Sequence, residues 1–340
     1  MICISFLAIG CSGETEETET EEITEEKKDE ITIMHVDAEH PEFQKFIEEA
    51  EEALDMEIHV TACPENADNR QARISTILSA GETSVDIFSV NDEMVSEFKY
   101  KGYLEPLNDR VMTEEIIACY PESYIKNIAM LDGEIYSVPY YMDIMVFWVN
   151  KSMTGDQEIR TEEDFLRLLN TDFGEGKYGY GSAWDSAYAS IFAYSGTMNT
   201  FVRAGAYRED FIQVAPLPEF AENTTNIAAW QYVLNKASVH KEAAFRFLEY
   251  AASREGSIAY SEYMNRLPAR VDIIREEDLD IPGFDQLRDY VENTQLKERP
   301  FSRNTMEDIT SMGTLFQRYV LEEITQEEFC QKAQNITDNF

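Results

Sequence analysis

Over residues 31–36 apolar side chains alternate along the chain, the period of a strand. Pro41 then stands at a first helical position, and Phe43, Phe46, Ile47, Ala50 and Leu54 recur on one helical face. Residues 57–62 read as a second strand. Ala72, Ile74, Ile77 and Leu78 mark a second helix that Gly81 stops. Residues 85–90 are mostly apolar and read as a strand buried on both faces, and 92–100 as a short helix ending near Gly102. This β-α-β-α-β-α order predicts an α/β fold, a parallel sheet with helices on both sides. Ligands of such sheets sit beyond the carboxyl ends of the strands. Here those ends are Val36-Asp37-Ala38-Glu39 and Ser89-Val90-Asn91-Asp92.

The middle of the chain changes character. Asp132-Gly133 is a turn signal between apolar stretches, and residues 135–141 and 144–149 follow it. Trp148, flanked by Phe147 and Val149, reads as a core residue of a strand. Thr161 with Asp164 resembles a capping box ahead of Phe165, Leu166, Leu168 and Leu169. Residues 174–181 form a glycine- and tyrosine-rich loop. Residues 241–252, with Ala244, Phe247, Leu248 and Ala251 on one face, predict an amphipathic helix. Thr325 with Glu328 predicts a second capping box and a last helix through Phe329, Ala333 and Ile336.

Composition narrows the function. The chain has 340 residues, 44% of them hydrophobic, enough for a core divided between two lobes. Its formal charge of -38 would be repelled by phosphate backbones, so nucleic acid is excluded as a partner. Residues 14–30 are Glu- and Thr-rich with only Lys27 and Lys28 as cations, the composition of a solvated tether. Ahead of them an apolar run over residues 4–9 ends in Gly10-Cys11. Leu7-Ala8-Ile9-Gly10-Cys11 resembles a bacterial lipobox, whose cysteine is lipidated and becomes the N-terminus. A buried N-terminal strand, the other reading, would not run straight into a solvated tail. Past the signal no apolar run reaches the roughly 20 residues that span a bilayer. Cys63, Cys119 and Cys330 form no metal-ligand spacing and read as isolated thiols.

Five further segments carry a resemblance. They are Val85-Asp86-Ile87-Phe88 with Gly102-Tyr103-Leu104-Glu105-Pro106-Leu107, then 132–143 with its Asp132-Gly133-Glu134-Ile135-Tyr136, and Phe147-Trp148-Val149-Asn150-Lys151. Gly205-Ala206-Tyr207 with Val214-Ala215-Pro216-Leu217-Pro218 and the stretch 236–256 complete the set, in order. Together they resemble extracellular solute-binding proteins of the sugar-binding type, the substrate-binding lipoproteins of bacterial ABC importers. The resemblance implies a two-lobed periplasmic-binding-protein-like (type II) fold with a hinge. It also implies a solute cleft, no cofactor, a monomer, and ABC permease transmembrane subunits as partners. By analogy residues 1–11 are the signal, 12–30 the tether, 31–142 plus 232–300 the first lobe and 143–231 plus 301–340 the second. The chain would cross between lobes near Tyr141 to Asp143, near Trp230, and near 299–303. About ninety residues separate the first two crossings, fewer than in relatives, so the second lobe is expected to be shortened between Gly181 and Phe201.

A sugar offers hydroxyls and apolar C–H faces, so its site combines carboxylates or amides with aromatic platforms. The candidates are Asp37, Glu39, Asn91, Asp92, Tyr140, Tyr141, Asp143, Trp184, Asp185, Tyr207 and Trp230. His40 shares the ambiguity of its neighbours after the first strand. Asp92 either touches solute or caps the next helix. Arg266 and Arg303 read better as partners of surface acids than as cleft residues. The same fold could instead bind ferric ion through Tyr140-Tyr141 phenolates, or a polyamine or peptide through charge. A surface-interaction lipoprotein without transport is a further alternative. Enzyme motifs are missing: Ser96-Glu97-Phe98-Lys99 matches S-x-x-K, but its partner motifs S-D-N and K-T-G are absent.

Overall fold

A computed structural model describes residues 28–64, 66–299 and 301–337. Cys11, the lipobox and the tether up to residue 27 lie outside the described residues. The strands are β1 (Asp29–His35), β2 (Met56–Ala62), β3 (Ile87–Asn91), β4 (Met130–Leu131), β5 (Glu134–Ile135), β6 (Val138–Asn150), β7 (Ser190–Tyr194), β8 (Ile212–Ala215), β9 (Thr224–Leu234) and β10 (Gln295–Glu298).

Residues 29–100 fold as their pattern dictates. β2, β1 and β3 run parallel, with Ile31 opposite Ile58 and Ile33 opposite Ile87. Helix α1 (Pro41–Leu54) starts at its proline, under a His40 cap, and buries Phe43, Phe46, Ile47 and Ala50. Helix α2 (Ala67–Ala80) stops at Gly81, whose left-handed backbone turns the chain out of the helix. Helix α3 (Asp92–Tyr100) follows β3 directly, and its cap is Asn91 rather than Asp92. Asp132 and Gly133 both adopt positive φ and close the β4–β5 hairpin.

Two long strands organise the rest. β9 lies antiparallel to β3, and the first half of β6 lies antiparallel to β9, with Tyr141 opposite Trp230. From Met145 onward β6 leaves β9 and pairs with β7 and β8 instead. The start of β9 correspondingly turns to β10. β6 is therefore shared between two sheet regions, and its change of partner, next to Ile144, lies beside the start of β9 at Ile227. The two apolar stretches read separately in the sequence are one strand, whose half-buried middle, at Asp143 and Met145, is where the partners change.

A register shift falls between Pro139 and Tyr141. Proline has no amide to give the ladder, and the bulge that absorbs it leaves Tyr140 as the extra residue. Adjacent strand residues normally face opposite ways. Here the Tyr140 and Tyr141 rings lie 5.4 Å apart and both are buried. Trp148 is fully buried, with its ring against Phe201.

Two C-terminal helices pack on different parts of the fold. Helix Phe284–Asn293 packs on β8, and Gly283 lies against the Tyr207 side chain. Helix Thr305–Val320 packs instead on α3. Both capping boxes are present, at Thr161 with Asp164 and at Thr325 with Glu328. Among the described residues no helix is long and apolar enough to cross a membrane.

Candidate solute site at the strand crossing

The facing rung Tyr141–Trp230 sets two aromatic rings nearly parallel, 14° apart with centroids at 6.3 Å. Each carries a guanidinium. Arg266 lies 4.6 Å over Tyr141, and Arg70, from the first turn of α2, lies 4.9 Å over Trp230. Tyr260 stacks on Tyr141 at 6.1 Å and its hydroxyl accepts from Arg266 at 2.6 Å.

Asp37, from the carboxyl end of β1, grips Arg266 through both oxygens at 2.6 and 3.2 Å. Burial opposes its ionisation, but the guanidinium outweighs burial and holds the carboxyl below the usual carboxylate range. Beneath it, His35 Nδ1 accepts from the Asp37 amide at 3.0 Å. Burial pushes the His35 imidazole down to about 3, so it stays neutral beside the ion pair.

Asp143 sits where β6 changes partner. Its carboxylate accepts from the Gly196 amide at 2.7 Å and from Ser195 Oγ at 3.1 Å, hanging helix Thr197–Arg203 on the crossing. Burial raises its pKa. A third acidic group closes the other side. Arg299 pairs with Glu93 at 2.5 Å and approaches Asp92 at 3.7 Å. Asp92 is fully buried and accepts from the Ala229 amide at 3.1 Å and from the Tyr124 hydroxyl. Burial, then the neighbouring Glu93, push its carboxyl up to about 7.

Asp92 therefore couples stability to pH. Its folded pKa lies above the unfolded value, so its contribution is complete below about 4 and lost as pH rises through 7. D92N, which keeps the shape without the charge, is expected to flatten that part of a melting-temperature profile measured from pH 4 to 8.

Several polar atoms at the crossing are buried without a hydrogen-bond partner among the described residues: Asn91 Oδ1, Asp92 Oδ2, Glu93 Oε2, Arg266 Nε and Arg299 Nε. Such groups are costly to leave unpaired.

Of the sequence candidates, the crossing brings together Asp37, Asn91, Asp92, Tyr141, Asp143 and Trp230. The others lie elsewhere. Tyr140 is enclosed by Tyr232, Tyr260 and His35, with its hydroxyl 2.8 Å from Ser89 Oγ, because the bulge turns it inward. Trp184 packs edge-on against Phe201 and Phe211, and Asp185 accepts from the Ala187 amide in the same loop. Tyr207 fills space between Trp148 and Gly283. Glu39 is exposed one turn before α1. Burial holds the Tyr140 and Tyr141 phenols far above their ordinary range, the reverse of what ferric phenolates need. Arg303 rests on the exposed Tyr100 ring.

Arg70, Arg299 and Tyr260 were not among the sequence candidates, and Arg266 was read as a surface partner. Arg70 carried a signal: it continues the buried face of α2, four residues before Ile74 and eight before Leu78. Among groups that could hold a metal, Glu30, Glu57 and His59 cluster on the outer edge of β1 and β2, away from the crossing.

Residues 45–189 match the family described as bacterial extracellular solute-binding protein. An uncharacterised ABC transporter extracellular-binding protein of Pyrococcus horikoshii is 27% identical over 181 residues, 49% of this chain and 41% of that protein. The fold is shared with maltose-bound MalE3 of T. maritima, at TM-score 0.71 and 15% identity over 92% of this chain and all of the other. It is shared too with an ABC substrate-binding protein of Listeria monocytogenes in complex with cycloalternan (0.74, 16%, 92% and 99%). A solute-binding protein of Thermotoga lettingae bound to α-D-tagatose gives 0.73, 18%, 92% and 99%. Family match and fold point the same way: residues 45–189 are similar to bacterial extracellular solute-binding proteins, and the described chain shares the fold of solved solute-binding proteins.

Proposed function

We propose that this protein captures an uncharged carbohydrate at the β6–β9 crossing and delivers it to the permease of an ABC importer. It works outside the cytoplasmic membrane, tethered through a lipidated Cys11, and performs no chemistry on the solute. The observation that carries the reading is local charge balance beside paired aromatic rings. The whole chain has 66 acidic against 28 basic residues. At the crossing, however, Asp37 pairs with Arg266 and Glu93 with Arg299, while burial raises the pKa of Asp92 and of Asp143 and so favours their neutral forms. An excess of carboxylates would draw in a polyamine, and an excess of guanidinium groups an anion. A balanced polar floor with apolar ring faces suits hydroxyls and C–H faces instead. The sugars held by the structural relatives support the same class. In those terms Tyr141 and Trp230 are the platforms, Asn91 and Arg70 supply hydrogen bonds, and Asp37 and Asp143 orient what surrounds them.

A thermal-shift screen against mono- and oligosaccharides, spermine, short peptides and ferric ion tests this. A solute at a hundred times its dissociation constant adds about 2.7 kcal/mol to stability. A rise with one sugar class is the expected result. A rise with spermine or ferric ion alone would refute it, and silence from a cooperatively melting protein would favour a surface-interaction role.

A further inference from the structure

One side chain ties the helix hung on the second half of β6 to elements packed around the first. Asn199, in helix Thr197–Arg203, is 6% exposed. Its Nδ2 donates to the Met264 carbonyl at 2.7 Å, and its Oδ1 lies 3.2 Å from His40 Nε2. The direction of the second bond follows from the surroundings. His40 Nδ1 accepts from the Glu42 amide at 3.2 Å as the cap of α1, so the ring proton is on Nε2 and is donated to Asn199. Met264 is the last residue of helix Arg254–Met264, whose terminal carbonyls have no partner within the helix. Both amide groups of Asn199 are thus spent across the boundary between the two sheet regions.

The helix bearing Asn199 is not free to drift. Ser195 and Gly196, just ahead of it, are fixed to Asp143, and the Ser195 amide donates to the Ile144 carbonyl at 2.8 Å. The latch is therefore one rigid step from the strand crossing, where bending would separate the halves.

We propose that Asn199 is the latch of the closed state, a positioning residue that holds the two halves together without touching solute. This rests on the proposed reading only in its consequence for affinity. The latch itself is tested without solute, by small-angle scattering on the full chain. N199A is expected to enlarge the radius of gyration while melting cooperatively. His40→Asn is the companion variant: asparagine is a strong helix cap, so it keeps the α1 start but cannot reach Asn199. It should open the molecule as N199A does, whereas H40Q, which restores a donor at the reach of Nε2, should return it toward the wild type. Scattering of N199A and His40→Asn superimposable on the wild type would overturn the proposal. If a sugar from the screen binds, N199A should weaken it roughly three- to tenfold, the scale of one neutral hydrogen bond. Failure of every sugar to bind the wild type would sink the carbohydrate reading and leave the scattering result standing.

Discussion

R266M should cost about 3–5 kcal/mol of stability, the largest single loss expected at this site. Asp37 and Arg266 are each only about an eighth exposed, at 14% and 12% of their side chains. Methionine keeps the apolar stem of arginine, so the packing around that stem is retained. What disappears is the one guanidinium or ammonium group paired with Asp37 among the described residues, and with it the donor to the Tyr260 hydroxyl. His35 is a poor substitute, because burial, the largest influence on its imidazole, favours the neutral form. Two further measurements separate charge from packing. D37N/R266M, with no charge left to strand, should recover much of the loss in urea unfolding. The single variant should also recover as pH falls, since protonating Asp37 removes the unpaired charge. In the wild type the sign is opposite: the Asp37 carboxyl is held below its unfolded value, so its contribution is present above about pH 4 and lost as pH falls through the folded value. A single variant as stable as the wild type at neutral pH would mean that the pair contributes nothing.

W230A should weaken carbohydrate binding by about 2–3 kcal/mol, roughly thirty- to 150-fold. The ring is half of the facing rung at the crossing and supports the Arg70 guanidinium at 4.9 Å, so truncation removes the platform and unseats a donor. W230F keeps an apolar face and should retain most of the affinity. W184F is the control. Trp184 packs on Phe201 and Phe211, and its replacement should leave affinity unchanged in the same calorimetric titration. Equal losses from both tryptophans would place the solute elsewhere.

The sequence was most legible where short-range physics decides. The Pro41 start and buried stripe of α1, the Gly81 stop and the Asp132-Gly133 turn each depend on residues within one turn of themselves. The crossing was legible in place, near Tyr141 and near Trp230, through likeness to a family. Its pairing was not, because Tyr141 and Trp230 meet only through a ladder joining residues 89 positions apart. The placement of Tyr140 has a local cause with a non-local outcome. Pro139 disrupts the ladder, the bulge shifts the register, and a residue expected at the cleft turns into the core. Asp92 shows the limit of capping rules: next to Asn91 either residue could cap α3, and only the fold shows that Asp92 turns inward to the Ala229 amide. Arginines were undervalued because, in so acidic a chain, each has many surface acids available. Burial, which sequence does not state, distinguishes Arg266 from the exposed Arg160 with its partner Glu158.

The most direct test of a charge-balanced carbohydrate site is calorimetric titration of the full chain with neutral oligosaccharides and with spermine, at low and high salt. An uncharged solute on a balanced floor should bind with an affinity that salt barely changes, because there is no net charge to screen. Saturable, salt-insensitive binding of one oligosaccharide, lost in W230A, is the predicted result. Binding of spermine alone, weakening steeply as salt is raised, would contradict it.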